Sequence, residues 1–255
     1  MWMTLKTLNM KTYNLGEGVL AFSTRRDGGV STGTYASMNI NPFCGDNPHD
    51  IEQNRELLAT RLGILPERIV VPHQVHGVHV EFLDGPCLPE ATDAVVTTTE
   101  GLCVGVSTAD CIPVLLYDPV HRAVAAVHAG WRGTVARIVV QTLQQMHERL
   151  GTCPAEVAAV IGPGIGLDAF EVGDEVYDAF EKEGFPMQRI ARRYAKWHID
   201  LWDANLWQLQ QMGVENVQCA SVCTYTNSEE FFSARRLGIR SGRIMNGIML
   251  LEREN

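Results

Sequence analysis

Hydrophobic positions along the chain fall into short apolar runs of strand length, separated by loops and by segments with helical spacing. The runs Val19–Thr24, Asp93–Thr98, Val104–Ser107, Ile112–Tyr117, Ala123–His128 and Val157–Ile161 predict buried strands. Ile69–Val80 predicts an edge or broken strand, because Pro72 removes a backbone donor. Val217–Thr224 and Arg243–Leu251 predict closing strands. Helical spacing appears in four places. Asn47-Pro48 supplies an N-cap and a first-turn proline for a helix carrying Ile51, Leu58 and Leu62 that stops at Gly63. Thr134–Leu150 places Val135, Ile138, Val139, Thr142, Met146 and Leu150 on one face. A third helix starts near Asp174 with Val176 and Phe180 inward and stops at Gly184, and a fourth spans Asp200 to Met212. Strands interleaved with helices, and no repeat or linker, predict an α/β fold of mixed sheets layered with helices in a single domain over residues 1–255.

The densest part of the pattern is Gly101–Thr134. Asp118–Arg122, with Asp118-Pro119, predicts a short turn, so Ile112–Tyr117 and Ala123–His128 should form an antiparallel hairpin. Pairing of Tyr117 near Ala123 would set Cys111, at the start of one strand, opposite His128, at the end of the next. Facing residues of such a pair have Cβ atoms roughly 5 Å apart. Loops flank both residues, Ser107–Asp110 before the cysteine and Ala129–Gly133 after the histidine. The helix start after Trp131-Arg132-Gly133 would direct free N–H groups toward that loop, with Arg132 beside them. Gly130 and Gly133 there equally suit a tight turn.

Composition narrows the function classes. The chain has 255 residues, 45% hydrophobic, with a net charge of −9. This acidic balance argues against nucleic-acid binding through a basic surface and leaves room for a local basic pocket. No segment approaches the roughly 20 apolar residues of a membrane span. Met1–Tyr13 lacks the apolar run of a secretory signal, so a cytoplasmic location is expected. Seven scattered cysteines do not make a disulfide framework.

Three histidines, His73, His76 and His79, fall within seven residues, and the bend implied by Gly77 makes His76 the best placed at a strand end. Cys111, His128 and His76 together fit two chemistries. A thiolate and two imidazoles suit a zinc ion with an open fourth position. Alternatively Cys111 is a nucleophile activated by His128, with Asp110 or another group orienting the ring. A multicopper site is a poor match, since the chain has 8 histidines and no His-x-His. Asp110 reads either as a proton shuttle or as a turn contact. Arg25 and Arg26 beside Gly28-Gly29, followed by Asn39, read either as solvated loop charge or as a binding loop. Phe231-Phe232-Ser233-Ala234-Arg235-Arg236 could wall a pocket for a flat ring and an anion, or form a packed turn. Gly162-Pro163-Gly164-Ile165-Gly166 is not a dinucleotide fingerprint. It reads as a turn that lets backbone approach something closely.

Ordered motifs then add a resemblance. Phe22–Ser31 reads F-S-T-R-x-x-G-G-V-S, Gln74–Gly77 Q-V-H-G, Thr108–Val114 T-A-D-C-x-P-V and His128–Gly133 H-A-G-W-R-G. G-P-x-I-G follows at Gly162–Gly166, C-T at Cys223–Thr224 and F-F-S-x-R-R at Phe231–Arg236. The chain resembles the YfiH/YlmD family, also called DUF152 or polyphenol-oxidase-like, and the laccase-domain-containing proteins of animals, from about Phe22 to Arg243. It departs from the family at Ala234, where an aromatic is common, and in the extra arginine of Thr24-Arg25-Arg26-Asp27.

The resemblance implies zinc ligands at His76, Cys111 and His128, and a fold loosely similar to a toxin deamidase with a Cys–His pair. It implies purine nucleosides as small-molecule partners. The expected reactions are phosphorolysis of adenosine, inosine and methylthioadenosine with inorganic phosphate as co-substrate, and hydrolytic deamination of adenosine. Under it, Arg25, Asn39, Gln74, Arg132 and Arg235 are the candidate substrate or phosphate contacts, and Asp110 the candidate proton shuttle. A thiol hydrolase or amidase built on Cys111, and the polyphenol oxidase of the older family label, are the alternatives.

Overall fold

The structure is a computed structural model and describes residues 9–253. The chain opens with β1 (Met10–Tyr13), β2 (Val19–Thr24), α1 (Pro48–Leu62), β3 (Ile69–Val70), β4 (Val80–Leu83) and β5 (Ala94–Thr97). The central stretch is β6 (Cys103–Thr108), β7 (Ile112–Asp118), β8 (Ala123–Ala129), α2 (Trp131–Val135), α3 (Ile138–Leu150) and β9 (Ala158–Ile161). Then come β10 (Glu171–Val172), α4 (Asp174–Lys182), α5 (Met187–Ile190), β11 (Ala191–Arg193), β12 (Trp197–Ile199) and α6 (Leu201–Gln211). The last elements are β13 (Asn216–Cys219), α7 (Ala234–Leu237) and β14 (Ile244–Leu250).

Two large sheets stack. One has the order β1-β2-β14-β6-β3, the other β13-β9-β7-β8-β5-β4, and β10-β12-β11 forms a small third sheet. Between the large sheets lie Val104, Val106, Ile248 and Leu250 from the first and Leu115, Tyr117, Val124 and Ala126 from the second. The outer face of the second sheet, with Val114, Leu116, Ala125 and Val127, is covered by Ile138, Val139, Leu143 and Met146 of α3 and by Leu201, Ala204 and Leu209 of α6. The outer face of the first sheet carries Phe22, Met245 and Met249 under Leu58 and Ala59 of α1. The layers are therefore helix, sheet, sheet, helix. Every residue of β7 and β8 is buried. That double cover explains why both strands read as continuous apolar runs rather than alternating ones. Each large apolar side chain held there stabilises the fold by about 1.5–3 kcal/mol.

The predicted α1 forms with its signals in place. Asn47 accepts from the His49 N–H, and Gly63 closes the helix at φ 70°. Ile69–Val80, expected as an edge or broken strand, is both: β3 lies at the edge of its sheet and an irregular segment follows until β4. Three expectations are corrected. Thr134–Leu150 is not one helix. Arg137 sits at φ 62° between α2 and α3, and its guanidinium reaches the Glu183 carbonyl at 2.7 Å and lies over Phe185 and Trp207. The strand expected over Val217–Thr224 ends at Cys219, because Ser221 turns to φ 49°, and Cys223 then meets Gly164 in an isolated parallel bridge. Lastly, Pro113, not Cys111, pairs with His128 in the β7–β8 register. Cys111 lies one residue before β7 and two before Pro113, so it is a diagonal neighbour of His128 on the same face.

The position of Cys111 follows from the topology. β6 belongs to the first sheet and β7 to the second, so the chain crosses between sheets over Ala109-Asp110-Cys111. Asp110 makes the crossing at φ 91°. Its carbonyl accepts from the Ile165 N–H at 2.8 Å. Gly164 packs so close to the crossover that a Cβ there would meet Ile112 Cδ1 at 2.3 Å and the Asp110 carbonyl at 3.0 Å. This is the close backbone approach expected of the Gly162–Gly166 turn.

Candidate metal centre

Three elements converge at the crossover. Cys111 comes from the inter-sheet step, His128 from the end of β8, and His76 from the irregular segment before β4. The ligand atoms of the three residues all lie within 4.8 Å of one another. His76 Nε2 is 3.9 Å from Cys111 Sγ, and the two imidazoles meet edge to face with centroids 4.8 Å apart. His128 is buried, Cys111 half-buried and His76 exposed. Gly130 passes directly beneath: a Cβ there would stand 3.0 Å from Cys111 Sγ and 3.2 Å from His76 Cδ2.

Asp93 holds this arrangement, and the sequence pattern did not single it out. Its carboxylate is fully buried. Oδ1 accepts from His128 Nδ1 at 2.7 Å and from the His76 backbone N–H at 2.9 Å. Oδ2 accepts from the N–H groups of Gly77 at 2.7 Å and Val75 at 3.2 Å. One side chain therefore fixes the ring of one histidine and the backbone of the other, which sits at φ 62°. The available signal was an acid at the very start of an apolar strand, where a carboxylate needs internal donors to be buried. Gln74 secures the same segment from the other side. Its Oε1 accepts from the Ser107 N–H at 2.8 Å, and its Nε2 donates to the Ser107 carbonyl at 3.0 Å.

Electrostatics follow from this geometry. Burial pushes the Cys111 thiol up, but the His128 and His76 imidazoles outweigh it and bring it down to about 6. Burial pushes His128 down, but the Cys111 sulfur and the Asp93 carboxylate outweigh that and raise it to about 9. Burial pushes the Asp93 carboxyl up, and His128 with the Gly77 and Val75 N–H groups holds it below the ordinary range. The donor set suits a metal. Asp93 occupies His128 Nδ1, so Nε2 is the nitrogen left for a ligand bond, and the sulfur gives up its proton readily. Donors around a tetrahedral zinc ion stand roughly 3.5 Å apart, given Zn–S about 2.3 Å and Zn–N about 2.0–2.1 Å. The observed 3.9 Å is close to that.

The centre opens into a cavity of about 860 Å³. Gln74, Asp110 and Arg235 line it; Arg25, Asn39 and Arg132 do not. Arg25 is ion-paired with Glu230. Arg132 lies over the Trp131 ring. Asn39 is buried, and its amide is engaged with Asp46 and with the Arg243 N–H. Asp110 has both oxygens occupied, by the Thr224 hydroxyl at 2.7 Å and the Arg235 N–H at 2.6 Å. These contacts are those of the turn-contact reading of Asp110. Phe231 and Phe232 are buried in a small core and do not wall the cavity; Phe43, stacked on His73 at 4.3 Å, does, with Trp131 and Phe170. Two cavity arginines were missed, Arg240 and Arg243. Arg240 stands apart from any apolar pattern and Arg243 heads the predicted closing strand, so only the folding of the loop before β14 brings the two in.

A stacked α/β sandwich with a His–Cys–His cluster at the crossover between its sheets defines the class of protein. Comparison with known proteins gives the family. The family described as multi-copper polyphenol oxidoreductase laccase matches residues 20–251. A purine nucleoside phosphorylase of Bacteroides thetaiotaomicron is 47% identical over 244 residues, covering 90% of each chain. The adenosine deaminase RL5, from an unknown prokaryotic organism, is 39% identical and covers 91% of this chain and 94% of its own. The crystal structure of YlmD from Geobacillus stearothermophilus superposes with a TM-score of 0.88 at 30% identity, covering 92% and 93% of the two chains. The chain belongs to the YfiH/YlmD family, the laccase-like DUF152 proteins.

Proposed function

We propose that the protein is a zinc-dependent purine nucleoside enzyme. It would cleave adenosine, inosine and methylthioadenosine with phosphate to free base and (thio)ribose 1-phosphate, and deaminate adenosine to inosine. The observation that carries this is the meeting of His76, Cys111 and His128 at the wall of one cavity, with donor atoms within 4.8 Å. The names of the relatives supply the substrate class. His76 Nε2, His128 Nε2 and Cys111 Sγ would hold the ion. When bound, zinc supplies Lewis acidity at its open position. The protein's own share is positioning. Asp93 keeps the proton on His128 Nδ1 and fixes the ring, as an outer carboxylate does for a ligating histidine. Phe43, Trp131 and Phe170 offer apolar faces to a flat purine, and the arginines offer charge to an anion. No helix among the described residues is long and apolar enough to cross a membrane. We read the enzyme as cytoplasmic and as one domain.

The test is metal content and product analysis on one preparation. Purified protein should carry about one zinc per chain and convert adenosine with phosphate to adenine, inosine and hypoxanthine. Chelation should abolish both activities, and zinc should restore them. A second reading treats Cys111 as a nucleophile. The line Cys111–His128–Asp93 favours it, since a thiolate beside an imidazolium held by a carboxylate is the arrangement of thiol hydrolases. That reading leaves the His76 ring without a role. Activity that survives complete zinc removal would establish it.

A further inference from the structure

We propose that Arg240 is the anchor of an oxyanion subsite in the cavity, taking a phosphate group. The inference rests on the nucleoside reading above and names residues for its anionic reactant. The protein carries a net charge of −9. The cavity wall inverts that balance: it has three arginines, Arg235, Arg240 and Arg243, and one carboxylate, Asp110. Asp110 accepts from the Thr224 hydroxyl and the Arg235 backbone N–H, and among the described residues it forms no ion pair with any of these guanidinium groups.

The three arginines are used differently. Arg243 spends its guanidinium on its own loop, donating to the carbonyls of Ser241 at 2.7 Å, Gly242 at 3.0 Å and Ile239 at 2.9 Å. Arg235 donates to the carbonyls of Ala169 at 3.3 Å and Glu171 at 3.1 Å. Arg240 alone among them has no hydrogen bond, ion pair or aromatic partner for its side chain among the described residues. Its backbone, by contrast, is fastened. The Arg240 carbonyl accepts from the Thr34 hydroxyl at 2.7 Å, the Gly242 N–H donates to the Thr34 carbonyl at 3.2 Å, and Ser241 Oγ donates to the Gly238 carbonyl at 2.8 Å. A pinned loop therefore presents one uncommitted cation to the cavity that contains the triad. Guanidinium groups bind phosphate through paired, charge-assisted hydrogen bonds. Arg235, whose two bonds are long, is placed to assist.

Two sources share this chemistry: free inorganic phosphate as co-substrate, and the 5′-phosphate of a nucleotide. Arg240→Gln, with Arg61→Gln in the exposed last turn of α1 as the control outside the cavity, separates them. Arg240 is exposed, and matching melting temperatures would show both variants folded. Loss of one charge-assisted contact weakens binding roughly ten- to a hundredfold. For free phosphate, KM for inorganic phosphate in adenosine phosphorolysis rises by that factor, while adenosine deamination, which uses water, does not follow. For a nucleotide, KM for adenosine 5′-monophosphate rises instead and phosphate KM stays. Arg240→Lys should recover part of either loss. Unchanged KM for both substrates overturns the subsite. If the wild type turns over neither substrate, the function fails separately. Calorimetric titration with inorganic phosphate then decides: binding lost in Arg240→Gln upholds the subsite, and equal or absent binding in wild type and variant ends it.

Discussion

The β7–β8 hairpin ends twice in the same chemical pair, and only one end carries a set of side chains that could hold a metal. At the open end, buried Asp93 accepts from His128 Nδ1 at 2.7 Å. At the turn, buried Asp118 faces His121 Nδ1 at 2.8 Å. Each aspartate also accepts backbone N–H groups, those of Val75, His76 and Gly77 in the first case and those of Val120 and His121 in the second. The difference lies beyond the far nitrogen of the ring. Past the His128 ring stand a thiol and a second imidazole; the His121 ring faces Gly151 at the end of α3, where a Cβ would lie 3.4 Å from Nε2. A buried aspartate is thus a device for fixing a histidine ring, whether that ring is buried like His128 or exposed like His121, and what stands on the far side decides whether the pair closes a turn or orients a set of metal-capable donors.

The largest effect should come from removing donors at the open end. Cys111→Ala or His128→Ala should eliminate bound zinc and bring turnover to background, read by metal analysis and product assay. The same His121→Ala change at the turn should leave metal content and turnover unchanged. A variant lacking Cys111 that keeps its zinc would break the comparison. In metal-free protein, Cys111 should be alkylated by iodoacetamide, and zinc should protect it.

Next come the aspartates. Asp93→Asn should lower zinc affinity by roughly 10–100-fold, measured by chelator competition, as is usual for the outer partner of a ligating histidine. It replaces an all-acceptor group with one that sets an NH₂ against backbone donors, so the His76 turn should loosen too. Asp118→Asn should cost stability alone, about 1–3 kcal/mol for a buried group with unmatched donors. Equal effects of the two changes on zinc affinity would mean that Asp93 acts only through folding.

A smaller effect is expected of Gly130→Ala. A Cβ at 3.0 Å from the Cys111 sulfur and 3.2 Å from His76 Cδ2 is tighter than ordinary contact. The two flexible side chains must yield, so zinc affinity should fall by less than in Asp93→Asn, with melting temperature nearly unchanged.

The same contrast explains what could be read from the chain. The β7–β8 hairpin and α1 with its Asn47 and Gly63 caps were legible, because local periodicity and turn chemistry fix them; Cys111 and His128 followed from the hairpin, while His76 rested on the bend at Gly77 together with the family resemblance. The sheet crossover between β6 and β7 was not, since two buried strands read alike whichever sheet they join. Asp93 was not, because its partners come from residues 75–77 and 128, far away in sequence. The small sheet was not, because Arg192 and Arg193 give β11 a polar, exposed strand. Arg25 and Arg132 drew notice through their motifs, yet the cavity takes Arg240 from a loop without pattern and Arg243 from the head of the closing strand.

The smallest and most selective prediction concerns acid. Burial pushes the Asp118 carboxyl up, but the Thr152 hydroxyl, the His121 N–H and the His121 imidazole stand around it and outweigh that, leaving it below the ordinary aspartate value. A carboxyl lowered on folding releases its proton more readily in the native state. Its contribution to stability is therefore complete above the unfolded value, about pH 4, and is lost as pH falls through the lowered native value. Urea melts of wild type between about pH 6 and 3 should show stability declining, and Asp118→Asn should flatten part of that decline while lying lower at neutral pH. The turn lies at the opposite end of the hairpin from the three donors, so the flattening should be the same with and without zinc. An acid limb that changes with zinc but not with Asp118→Asn would place the sensitivity at the open end, and the two pairs would then differ in stability as well as in chemistry.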